Sequence, residues 1–158
     1  MQRWGEPRMT RDADLTLITG FGDEESFIDP LLAEYPGRRE DAREFALSYR
    51  VLLLQDTNGT PLDIALGALP FEEDTVARSS PWDIGPGVLR TCSAEDLLVH
   101  KVFAGRDQDW LDVRGILTRQ GGKLRLEQIE RDLAPLLELK SAPDNLARFR
   151  GLIADSNS

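Results

Sequence analysis

Cysteine and histidine are almost missing from this chain of 158 residues, which holds one of each. A lone cysteine, Cys92, excludes an internal disulfide, and with His100 as the single histidine no Cys/His zinc cluster can assemble. Long apolar runs are also missing. No stretch approaches the ~20 residues that cross a bilayer, and Met1 to Glu6 has no apolar signal-peptide core. These absences lead to the expectation of a cytoplasmic protein with no membrane partner. Basic charge is in deficit, with 19 Lys and Arg against 28 Asp and Glu and a net charge of -9. That balance argues against a broad basic face for duplex DNA, though not against a local basic groove. Arg38-Arg39 is a candidate for such a groove, but its Pro-Gly setting reads as a solvated turn. Low-complexity tracts and internal repeats are absent.

What is present is an ordinary globular composition, 41% hydrophobic and 30% charged, long enough for one domain with a real core. The expected fold class is α+β, with a small mixed or antiparallel sheet in the N-terminal half and helices in the C-terminal half. Residues 12–18 read as a strand ended by Gly20-Phe21-Gly22. A helix is expected from Glu24 to Tyr35, with Asp23 as cap, Phe27, Ile28, Leu31 and Leu32 on one face, and Pro30 as a kink or first-turn residue. Phe45 to Gln55 reads as a strand, Asp56 to Thr60 as a hairpin turn built on Asn58-Gly59, and Pro61 to Leu66 as the returning strand. Phe71 to Arg78 is a candidate short helix, and Trp82 to Arg90 a loop with a short strand. Ser93 caps a helix to about Phe103, ended by Gly105. Further helices are expected at Gln108–Arg119, stopping at Gly121-Gly122, at Leu126–Leu139, kinked or split by Pro135, and at Asp144–Ala154. Residues 1–92 would form the α/β core, residues 93–155 a helical part packed on the same core, and Asp155 to Ser158 a frayed tail, with 156–158 outside any domain.

The most informative stretch is Thr10-Arg11-Asp12-Ala13-Asp14-Leu15-Thr16-Leu17-Ile18. On a strand, Asp12 and Asp14 point the same way. Two ionised carboxylates side by side repel unless something positive joins them. A magnesium ion fits that need, since it uses one or two carboxylates and leaves other positions to substrate phosphates. Asp63 breaks the returning strand Leu62-Asp63-Ile64-Ala65-Leu66 with a residue depleted in strands. A local rule broken inside a consistent segment often marks a functional site.

A second constellation is Lys101 to Asp112. Lys101 sits among Leu97, Leu98 and Val102, so it would be partly buried and in need of an anionic partner. Asp109 and Asp112 share a helix face, and Arg106 can pair with Asp109. Taken alone, the run reads as a surface salt-bridge ladder. His100 and Cys92 receive no catalytic role, and Trp82 and Trp110 read as packing residues.

Gly5-Glu6-Pro7-Arg8-Met9-Thr10-Arg11-Asp12-Ala13-Asp14-Leu15 resembles the G-x-x-R-x-T-x-D-[IA]-D-[LV] signature of nucleotidyltransferases of the polymerase-β-like superfamily. Lys101, Arg106, Asp109 and Asp112 resemble the K-x-x-A-x-R-x-x-D-x-x-D element of the AbiEii/AbiGii toxin branch. The resemblance implies a magnesium ion on Asp12, Asp14 and Asp63, with a nucleoside triphosphate as substrate. Asp63 would activate the attacking hydroxyl. Lys101 would contact nucleotide phosphate, and Asp109 and Asp112 would orient Lys101 or Arg106 or line the acceptor side. Arg8 and Thr10 would position the metal loop. The implied acceptor is an RNA such as tRNA or a protein hydroxyl, and an antitoxin protein is an implied partner. In that family a helix and a Gly-Gly or Gly-Ser turn precede the Asp-x-Asp strand; neither stands before Gly5, so weak or absent activity is expected of this chain as written. Three readings stay open: a nucleotidyltransferase, a non-catalytic relative that binds a partner, and an acidic protein unrelated to nucleotides.

Overall fold

The computed structural model describes residues 2–7 and 12–156. Arg8 and Thr10, expected to shape a metal loop, lie outside the described residues, as does the tail at 157–158. The fold is α+β, and the chain forms two compact units: residues 9–77, and residues 1–8 together with 78–158.

Unit 9–77 is a three-stranded sheet in the order β1-β3-β2 with helices on it. Strand β1 (Ala13–Ile18) runs parallel to β3 (Pro61–Gly67), which pairs antiparallel with β2 (Val51–Gln55). The hairpin between β2 and β3 turns where expected. Of Asn58 and Gly59 only Gly59 takes a positive φ, 86°, and the Asn58 side chain accepts from the Thr60 N–H instead. Ile64, Leu66, Leu52 and Leu54 line one sheet face and meet Ile28 of α1 (Glu25–Glu34) and Ala46 of α2 (Ala42–Tyr49). The period of two fixes the rest: Asp63 and Ala65 must face the other way.

Residues 45–49, expected as strand, are helical. Apolar runs of this length carry no decisive period. Ala42 and Ala46 are buried one turn apart, and Phe45 stacks on Tyr49, ring centroids 4.7 Å apart. The chain then turns at Arg50, which holds the left-handed φ of 57°. That conformation is costly for a residue with a Cβ. The guanidinium offsets it by donating to the carbonyls of Leu66 (2.6 Å) and Gly20 (2.8 Å) and pairing with Glu24. Glu24, not Asp23, stands at the N-cap of α1. Helix α1 continues through Pro30, which lies on the exposed side where water can serve the carbonyl it frees. Helix α3 (Pro70–Ala77) completes the unit.

The second unit opens with residues 2–7, tied down through side-chain donors. Trp4 Nε1 donates to the Cys92 carbonyl (2.8 Å), Gln120 to the Trp4 carbonyl (2.6 Å) and Arg119 to the Gly5 carbonyl (2.6 Å). A β4–β5 hairpin follows (Ser80–Asp83, Val88–Thr91), where a loop with one short strand was expected. Helices α4 (Ala94–Ala104), α5 (Asp107–Gln120), α6 (Leu126–Lys140) and α7 (Asp144–Ser156) enclose a core that includes Leu98, Val102, Ile116, Leu133 and Phe149. Ser93 caps α4 as expected, accepting from the Asp96 N–H at 3.1 Å. Helix α6 passes through Pro135 unbroken, with that residue on its exposed face. Asp155 and Ser156, expected to fray, complete the last turn of α7. Among the described residues no helix is long and apolar enough to cross a membrane.

Candidate functional site

Parallel pairing of β1 and β3 sets Asp14 directly opposite Asp63. Registered residues of adjacent strands project on the same face, about 4.8 Å apart along the hydrogen-bonding direction. The acidic pair therefore lies on the face opposite the Ile64–Leu66 core. Helix α3 covers the far end of that same face. A Cβ on Gly67 would stand 2.9 Å from Ile18 Cδ1 and 3.3 Å from both Thr16 and Glu72, so glycine there lets the helix come close. At the near end Asp14 is exposed and the Asp63 side chain is 35% exposed. Asp12 is exposed at the mouth of β1, one position before the paired strand.

Arg38 belongs to this face, although its neighbours suggested a solvated turn. The stretch after α1 runs along the outer edge of β2: Gly37 bridges Leu54, and the Arg38 N–H donates to the Leu53 carbonyl (3.0 Å). From there the guanidinium reaches Asp63 and pairs with its carboxylate, the Arg38 side chain being 30% exposed. Arg39 turns away to Asp41 (2.8 Å). A charged residue after Pro-Gly was the visible signal; the edge bridge that aims it was not.

Among the described residues no group of three or more His, Cys, Asp and Glu side chains is placed as a metal site. The donor chemistry at Asp14 and Asp63 nonetheless fits magnesium, a hard ion that takes two carboxylates and fills its remaining positions with water or phosphate oxygen.

Lys101, Arg106, Asp109 and Asp112 meet in the second unit, at the corner between α4 and α5. Gly105 makes the corner with φ 69°. Asp109, the third residue of α5, reaches back with Oδ2 to accept from the N–H of Arg106 at the N-cap (3.2 Å). Lys101 Nζ then lies 2.9 Å from both Asp109 and Asp112. This is no surface ladder: Asp109 is 1% exposed and Asp112 3%. Burial pushes the Lys101 ammonium down, but the two carboxylates outweigh it and raise its pKa. Burial likewise pushes the Asp109 carboxyl up, and hydrogen bonds from Arg106 and Lys101 bring it below its ordinary value. Trp110 packs in the same corner, donating to the Gly105 carbonyl at 3.0 Å under the Arg148 guanidinium. Cys92 is half-buried, and burial pushes its thiol up to about 11, so it is no thiolate nucleophile at neutral pH.

No protein-family model matches the sequence, and no curated protein matches it. Among solved structures the chain is similar to the crystal structure of an antigenic nucleotidyltransferase-like protein from Paracoccidioides brasiliensis, with 16% identity over 89% of this chain and 75% of that one and a TM-score of 0.45.

Proposed function

We propose that the unit of residues 9–77 carries the catalytic face of a magnesium-dependent nucleotidyltransferase, which moves a nucleotide from a nucleoside triphosphate to a hydroxyl of an RNA such as tRNA or of a protein. The observation that carries this reading is the register Asp14 opposite Asp63 on a sheet face away from the core. Asp14 and Asp63 would hold the ion, with Asp12 beside them at the strand mouth. Bound there, magnesium would neutralise the charge that nucleotidyl transfer develops on the triphosphate. Asp63 would also accept a hydrogen bond from the acceptor hydroxyl and orient it. The roles of Arg8 and Thr10 rest on the sequence resemblance alone, as does a toxin role checked by a neighbouring antitoxin.

Lys101 supports a different assignment from phosphate contact. An ammonium has three donors, and two of them are engaged by buried carboxylates. That geometry favours Lys101, Asp109 and Asp112 as the clamp that holds α4 to α5, with Arg106 at its exposed rim.

The test is incubation with labelled nucleoside triphosphates, magnesium and total tRNA. The expected result is label on RNA or on protein, falling at least about 100-fold in Asp14→Asn and in Asp63→Asn, a loss typical of removing one preorganised charge-stabilising group. Transfer that survives both substitutions contradicts the assignment. Absence of both transfer and magnesium-dependent nucleotide binding favours the non-catalytic reading, in which partner binding is unchanged by the same two substitutions.

A further inference from the structure

Arg38 and Asp63 are 25 positions apart in sequence, and the sheet brings them together by one specific device. The bridge of Gly37 to Leu54 adds a short edge to β2, and Leu53 of β2 pairs with Asp63 of β3. Arg38, Leu53, Asp63 and Asp14 thus form one row across the sheet. The guanidinium passes over Leu53 to reach a carboxylate that the proposed function requires for a metal ion. Arg39 next to it has its own partner in Asp41 and lies over the Phe45 ring, so the choice of Arg38 for the sheet face is local geometry rather than general charge.

We propose that Arg38 is a positioning residue for this acidic row: it holds Asp63 while no divalent cation is bound, and it must yield that carboxylate when one arrives. The inference rests on the reading of Asp14 and Asp63 as metal-binding. A guanidinium placed on a ligand oxygen offsets the repulsion between neighbouring carboxylates and competes with the incoming ion. It sets the affinity of the site without touching substrate.

The experiment is a Mn2+ titration followed by electron paramagnetic resonance, on the wild-type chain, Arg38→Gln, Arg38→Lys and Asp63→Asn. Losing a partly exposed ion pair should make Arg38→Gln bind Mn2+ about two- to fivefold more tightly. Arg38→Lys, a point charge without the planar fork, should shift the same way by less, and it decides the matter if the Gln variant does not fold. Asp63→Asn should bind more weakly than wild type. Equal or weaker Mn2+ binding in Arg38→Gln and Arg38→Lys, with Asp63→Asn still impaired, overturns the role of Arg38 alone. Failure of the wild-type chain to bind Mn2+, or binding unchanged by Asp63→Asn, overturns the metal reading and this inference with it.

Discussion

At the scale of single residues, the buried charges decide most. Asp109 and Asp112 are almost fully enclosed and share one ammonium. Removing one side of a buried pair leaves an uncompensated charge, so Lys101→Ala should cost about 3–5 kcal/mol in urea unfolding. Adding Asp109→Asn and Asp112→Asn to that variant should restore part of the loss, since neighbours in one network are not additive. The pH dependence follows from the directions of the two shifts. Asp109 has a lowered native pKa, so the unfolded chain takes up its proton first. Its contribution is present above about pH 4 and is lost as pH falls through the lowered value. Lys101 has a raised native pKa, so its contribution is complete below about pH 10 and is lost as pH rises through the raised value. Stability from this cluster should be flat between about pH 5 and pH 9, and Asp109→Asn should flatten the acid limb of an unfolding series. The sequence already showed that Lys101 needed an anionic partner and that the two aspartates share a helix face. It did not show their depth, because burial depends on what packs over the corner, here Trp110 with Arg148.

At the scale of elements, punctuation residues were the legible part. Gly20 after β1, Gly59 in the β2–β3 turn, and Gly105 and Gly121 at the ends of α4 and α5 all take positive φ, and Ser93 caps α4 as its spacing implies. Gly105→Ala should destabilise by about 1–3 kcal/mol in thermal or chemical unfolding, because a Cβ there combines φ 69° with a 2.5 Å approach to Asn145. Ser93→Ala should cost about 1 kcal/mol in the same measurement. The strand expected at 45–49 shows where local reading fails. Phe, Leu and Tyr suit a strand, and the helix is decided by what Ala42 and Ala46 pack against and by the carbonyls that hold Arg50 in its left-handed turn. Those acceptors come from the loop after β1 and from β3, out of view of a local window.

At the scale of the whole molecule, the α+β class and the helical second half were legible, while the two-unit division was not. The sequence suggests a boundary after 92; the compact units part after 77, and residues 2–7 join the later one. Arg119 and Gln120 secure that segment through backbone carbonyls, which every residue offers, so no residue type announces the pairing. The net charge of -9 has a consequence at this scale. A triphosphate approaching an acidic face is repelled unless a cation intervenes, so calorimetric nucleotide binding should vanish in EDTA and return with magnesium. That expectation depends on the sheet register that sets Asp14 opposite Asp63. Its most direct measurement is anomalous diffraction from crystals soaked with Mn2+ and a non-hydrolysable nucleoside triphosphate. A manganese peak is expected between the Asp14 and Asp63 carboxylates; a well-occupied nucleotide with its metal held away from both would contradict their assignment as ligands.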